Sequence, residues 1–201
     1  RKIATWAVAI LIPAAIASYW LVQRASVSTK DGVPLVRIEG GVFTMGDDEF
    51  FPMREVYVSP FYIDAFEVTT ARYAKFLEAN GALAPPDEWE SDDLKKHGEL
   101  PVVGVSWNDA VAFTEFQTEL LRDAGFDLVC DLPTEEEWEK AARGVDGRAF
   151  VWGDTFEPTF AKTRFSHDDM APESRLRFPV DESPYGVFDL TGSQWEWCRD
   201  P

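Results

Sequence analysis

The chain has 201 residues, 45% of them hydrophobic, with eight Trp and fifteen Phe, which suits one aromatic-rich globular domain plus an appendage. Thirteen Gly and thirteen Pro point to many turns, and so to a loop-rich α+β domain rather than a helix bundle. A formal charge of −17 excludes the basic footprint that nucleic-acid binding requires; two Cys (Cys130, Cys198) are too few for a disulfide scaffold, and two His (His97, His167) exclude a three-His iron site and leave a His-rich zinc site short of ligands.

In chain order, the first element is the uncharged run from Ile3 to Val22, long enough to cross the hydrocarbon core of a bilayer. Pro13 is tolerated in a membrane helix, and Trp6, Tyr19 and Trp20 sit near its ends, as interfacial aromatics do. Ala15-Ile16-Ala17 offers a rival reading, a cleaved signal peptide; the apolar run continuing through Tyr19-Trp20-Leu21-Val22 favours the anchor. Apolarity on all faces speaks against a third reading, a buried core helix. Arg1 and Lys2 favour a cytoplasmic N-terminus, a bias that Arg24 and Lys30 on the other flank reduce. Both leading readings place the acidic domain outside the cytoplasm. The expected organisation is a transmembrane helix (or uncleaved signal anchor) over residues 3–22, a polar linker over 23–34 and a globular domain over 35–201.

Val36, Ile38, Val42 and Phe43 around Gly40-Gly41 predict two short strands joined by a tight turn, closed by Met45-Gly46-Asp47-Asp48. Alternation at Val56, Val58, Phe61, Ile63 and Ala65 predicts further strand. Three helices follow from capping signals. Thr69 or Thr70 starts the first, whose stripe is Tyr73, Phe76 and Leu77, and Gly81 stops it. Ser106 caps the second, with Asp109 at its third position, a buried face of Ala110, Phe113, Phe116, Leu120 and Leu121, and Gly125 at its end. Thr134 and Glu137 form a capping box for the third; Trp138, Ala141 and Ala142 face inward and Gly144 ends it. Glu135 and Glu136 are explained by the dipole at that helix start. The stretch between the first two helices, with His97 on its surface, reads as an irregular excursion, and the stretch after the third, with His167 in a solvated acidic loop, as coil with only short strands.

The ordered segments EGGVFTMGDDEF, FYIDAFEVTTARYAKFL, PVVGVSWNDAVAF, LPTEEEWEKAARG, FVWGD and PVDESPYGVFDLTGSQWEWCRD resemble the formylglycine-generating enzyme, or sulfatase-modifying-factor, family from about Leu35 to Pro201. The resemblance implies an elaborated C-type-lectin-like α+β fold with little regular secondary structure and bound calcium. Active family members oxidise a Cys of a client sulfatase to formylglycine, using molecular oxygen and a copper ion held by two Cys. Neither Cys130 nor Cys198 matches that pair, so no catalytic residue is assigned. Copper is expected only with a Cys pair following Pro201, and the domain is expected to be incomplete at its C-terminus.

For calcium, the positions matching the family's site are Asp189, Gly192, Gln194 and Glu196: two carboxylates and two main-chain carbonyls, the hard oxygen donors that calcium takes. The competing reading of Glu196 is a carboxylate that hydrogen-bonds buried backbone between Trp195 and Trp197. At a second calcium position of the family Lys162 stands where an Asn ligand belongs, and an ammonium cannot bind a cation. Cys130 and Cys198 either pair in an oxidising compartment or remain free thiols. Two functions stay open: a membrane-tethered domain of the type that oxidises a client Cys, or a non-catalytic ligand-binding or sensor domain of a larger membrane signalling protein. Expected partners are the membrane, through the N-terminal helix, and a client protein or peptide, with no nucleic acid.

Overall fold

The computed structural model describes residues 27–28, 32–47, 51–81, 85–86, 97–166 and 171–200. The apolar run at 3–22 and His167 lie outside the described residues. Among the described residues, no helix is long and apolar enough to cross a membrane.

Five short strands form first: β1 (Val27–Ser28), β2 (Pro34–Ile38), β3 (Gly41–Met45), β4 (Arg54–Val58) and β5 (Phe61–Asp64). β1, in the stretch read as linker, pairs with β2 antiparallel. The expected hairpin across Gly40-Gly41 does not form. β2 instead pairs with β5, and β3 with β4, both antiparallel. Ile38 faces Phe61 and Gly41 faces Val58, so two residues on each side separate the ladders and the register carries through. The four strands are one long ribbon interrupted at Gly40 and Pro60. The cause is local. Pro60 has no N–H to donate, and a Cβ at Gly40 would lie 2.7 Å from Pro60 Cδ and 2.9 Å from Pro60 N, so only glycine allows this crossing.

The helices form where their caps predict: α1 (Thr70–Ala79), α2 (Trp107–Asp123) and α3 (Glu135–Arg143). Thr69, Ser106 and Thr134 accept N–H groups of the first turns, and Thr134 and Glu137 complete a reciprocal capping box. Gly125 and Gly144 follow the ends of α2 and α3 with φ of +88° and +78°. The buried face of α2 includes Phe113 and Leu121 but also Gln117 and Thr118. Gln117 is buried because Arg72 of α1 donates to its Oε1 at 3.0 Å. Arg72 also pairs with Asp64 at the end of β5, tying α1, α2 and the ribbon together. Thr118 is buried because its Oγ1 accepts the Cys130 N–H at 2.8 Å.

Two apolar clusters result. One joins Val36, Ile38, Ala65 and Phe66 to Ala141 and Ala142 of α3 and to Val151, Val187, Phe188 and Leu190; the other packs Tyr73 and Phe76 against Phe113. Burying one such large side chain stabilises by about 1.5–3 kcal/mol. α3 is further fixed by polar contacts beneath β3. Lys140, only 1% exposed, donates to the Gly41 carbonyl at 2.9 Å. Arg143 donates to the carbonyls of Gly46 at 2.8 Å and Gly147 at 3.0 Å. After α3 the backbone is turns and isolated bridges, stiffened by aromatic packing of Phe150, Trp152, Phe156 and Phe160.

Candidate functional site

The segment 181–196 is laid across the end of β5. Phe188 donates its N–H to the Ala65 carbonyl at 3.0 Å, and its ring stacks on Phe66 at 5.3 Å. Ser183 closes the preceding turn: its N–H donates to the Val187 carbonyl at 2.8 Å, and its Oγ accepts the Val187 N–H at 3.2 Å. The chain then doubles back, with the Asp189 N–H donating to the Asp181 carbonyl at 3.0 Å. Asp189 and Ser193 both take left-handed φ, +62° and +65°. Short polar side chains such as Asp reach this region at lower cost than larger ones.

Three anchors hold the loop 189–196. Asp181, 1% exposed, accepts the Thr191 N–H at 3.1 and 3.3 Å. Gly192 lies flat on Lys162: a Cβ there would stand 2.9 Å from the Lys162 carbonyl carbon and nearer still to its oxygen, while the Ser193 N–H donates to that oxygen at 3.0 Å. Glu67, just after β5, accepts Ser193 Oγ–H at 3.2 Å on one oxygen and the Gln194 N–H at 3.3 Å on the other.

The expected ion residues Asp189, Gly192, Gln194 and Glu196 thus share one folded loop, and two further acids, Glu67 and Asp181, bear on it. Glu67 is raised to about 8, by burial first and then by the charges of Glu196 and Asp189. Asp189 is raised to about 7 by burial and by the Asp181 charge, and Asp181 to about 6 by burial, opposed by N–H groups of Thr191 and Gly192. Glu196 is exposed as a residue, yet its carboxyl is surrounded closely enough for desolvation to raise it to about 7; the indole N–H of Trp138 opposes the shift, and the Asp189 and Asp181 charges add to it. That buried N–H makes no well-aligned hydrogen bond of its own. Among the described residues, no Lys or Arg side chain contributes to these four shifts.

Among the described residues, no three His, Cys, Asp or Glu side chains converge tightly enough to hold a metal by themselves. A cation in this loop therefore needs main-chain carbonyls, such as those of Gly192 and Gln194, to complete its shell, and calcium accepts such mixed oxygen sets. Lys162 carries its own positive charge into the fold: it is buried, donates from Nζ to the Ala171 carbonyl, and lies 3.8 Å from Glu173. Cys130 and Cys198 do not form a disulfide, and both are half-buried. Burial, then the charges of Glu196, Glu135 and Asp200, push the Cys198 thiol up to about 11. His97 is exposed.

Residues 22–201 match the sulfatase-modifying factor enzyme 1-like domain. The chain belongs to that family. It is 31% identical to the formylglycine-generating enzyme of Streptomyces coelicolor, over 82% of this chain and 68% of that protein. It is 30% identical to the inactive C-alpha-formylglycine-generating enzyme 2 of Bos taurus, over 82% of this chain and 70% of that one. Among solved structures, Treponema denticola variable protein 1 aligns with a TM-score of 0.63 at 19% identity, covering 83% of this chain and 72% of its own; this likeness is one of fold. The mixed helix and strand content and the sparse regular structure agree with the fold expected of the family.

Glu67 and Asp181 escaped the sequence reading. Glu67 stands 126 residues from Ser193, and no local pattern links them. Asp181 sits in an ordinary turn sequence, Val180-Asp181-Glu182-Ser183.

Proposed function

We propose that this sulfatase-modifying-factor-type domain is braced by calcium at the loop 189–196, held by the carboxylates of Asp189 and Glu196 and the carbonyls of Gly192 and Gln194. The observation that carries this reading is electrostatic. Four desolvated carboxyls, Glu67, Asp181, Asp189 and Glu196, bear on one loop and are all raised, and among the described residues no Lys or Arg side chain contributes to these shifts. Burying like charges is costly without a counter-charge, and a bound dication supplies one. The braced loop presents Trp195, 99% exposed, beside Glu196, on a face suited to a client protein or peptide. In keeping with the apolar run at residues 3–22, the domain is tethered to a membrane and lies outside the cytoplasm. Thermal melts of the full chain in calcium and in chelator test the reading: at a hundredfold excess over Kd, calcium should add about 2.7 kcal/mol, and superimposable curves would remove it.

A further inference from the structure

The loop 189–196 offers two carbonyls to a cation only if its peptide planes are held at fixed angles. The peptide between Gly192 and Ser193 is held from one side, because the Ser193 N–H donates to the Lys162 carbonyl at 3.0 Å. A trans peptide is planar, with its N–H and C=O pointing oppositely, so this bond turns the Gly192 carbonyl away from Lys162. The next peptide is held by Glu67, whose Oε1 accepts the Gln194 N–H while its Oε2 accepts the Ser193 hydroxyl. The left-handed φ of Ser193 needs such holding, since a non-glycine residue there is unfavourable unless its surroundings fix it.

We propose that Glu67 is the positioning residue of the ion loop: from the junction between β5 and α1, its two oxygens hold the Ser193 side chain and the Ser193–Gln194 peptide, and so fix the turn that separates the Gly192 and Gln194 carbonyls, which lie in the peptides on either side of it. The inference rests on the calcium reading of the loop. Two contacts converge on the group, one per oxygen; glutamine can still accept the Gln194 N–H and donate to the Ser193 hydroxyl, so only removal of the head group releases both. Aspartate, a methylene shorter, cannot reach both at these distances. Glu67 is bound to the loop by hydrogen bonds alone and is distinct from the four positions expected to ligate.

The test is calorimetric titration of calcium into the chelator-stripped full chain, wild type and Glu67→Ala, with melts of both in chelator. Glu67→Ala, which removes both contacts, should bind calcium at least tenfold more weakly and melt in chelator within a few degrees of wild type. A purely structural role would lower the melt in chelator and leave the affinity unchanged, and that result would overturn the proposal. Should Glu67→Ala fail to fold, Ser193→Ala removes one of the two gripping contacts from the other side; a severalfold weaker Kd supports the proposal and an unchanged Kd overturns it. Binding that is normal in wild type and equal in the variants removes only the role of Glu67. No binding in wild type removes the calcium reading itself.

Discussion

Gly192→Ala isolates the packing of the ion loop on Lys162. The added Cβ would lie 2.9 Å from the Lys162 carbonyl carbon and 3.1 Å from its nitrogen, against main chain that cannot rotate away. Ordinary carbon contact lies near roughly 3.5 Å, so the loop must shift by well over half an ångström. Overpacking of this kind costs about 1–3 kcal/mol. The shift also weakens the hydrogen bond from Ser193 N–H to Lys162 O, worth about 0.5–1.5 kcal/mol. Against this, replacing Gly by Ala lowers the entropy of the unfolded chain and returns about 0.4–1 kcal/mol. The net loss is about 0.5–4 kcal/mol, which for a domain of this size lowers Tm by about 1–16 °C. The assay is thermal unfolding followed by circular dichroism, in chelator so that ion binding does not contribute. Gly81→Ala is the control, because nothing lies within 4 Å of its Cβ position. A Gly192→Ala melt as close to wild type as the Gly81→Ala melt would refute the packing argument.

Other outcomes follow from the same contacts. In chelator, Glu67, Asp181, Asp189 and Glu196 hold more proton in the folded chain than in the unfolded one, because their folded values, about 6 to 8, exceed the ordinary carboxyl value. Their contribution is therefore full below about pH 4 and is lost as pH rises towards 8, so Tm in chelator should fall between pH 5 and about 8 more steeply than in calcium; parallel pH profiles would contradict this. Cys198, with its thiol near 11, should react with a thiol reagent at pH 8 more slowly than a cysteine in an unstructured peptide, and equal rates would show that its burial and acidic neighbours are misjudged. Lys140→Ala removes a buried stem and the donor to the Gly41 carbonyl, and should cost about 2–4 kcal/mol in urea unfolding; a loss below 1 kcal/mol would mean that α3 does not depend on this contact.

The helices were legible because their signals are local. Thr69, Ser106 and Thr134 act on N–H groups three residues away, and Gly125 and Gly144 act at their own positions. Strand pairing was not, because the partner of β2 is chosen 23 to 29 residues downstream, by a crossing of Gly40 and Pro60 that alternation does not encode. Patterning gives no sign that Lys140 and Arg72 are buried, which the Gly41 carbonyl and Asp64 and Gln117 make tolerable. At the site, the motif resemblance located Asp189, Gly192, Gln194 and Glu196, which are close in sequence. Glu67 and Lys162 reach the same loop from distant segments, and only the folded chain brings them there.

Calcium titration into the full chain, paired with an Asp189→Asn/Glu196→Gln double variant, bears most directly on the ion loop. Saturable binding at one site per chain is expected in wild type, and its loss in the double variant. Wild-type chain that takes up no calcium, or a double variant that binds as tightly as wild type, would contradict the assignment of the loop.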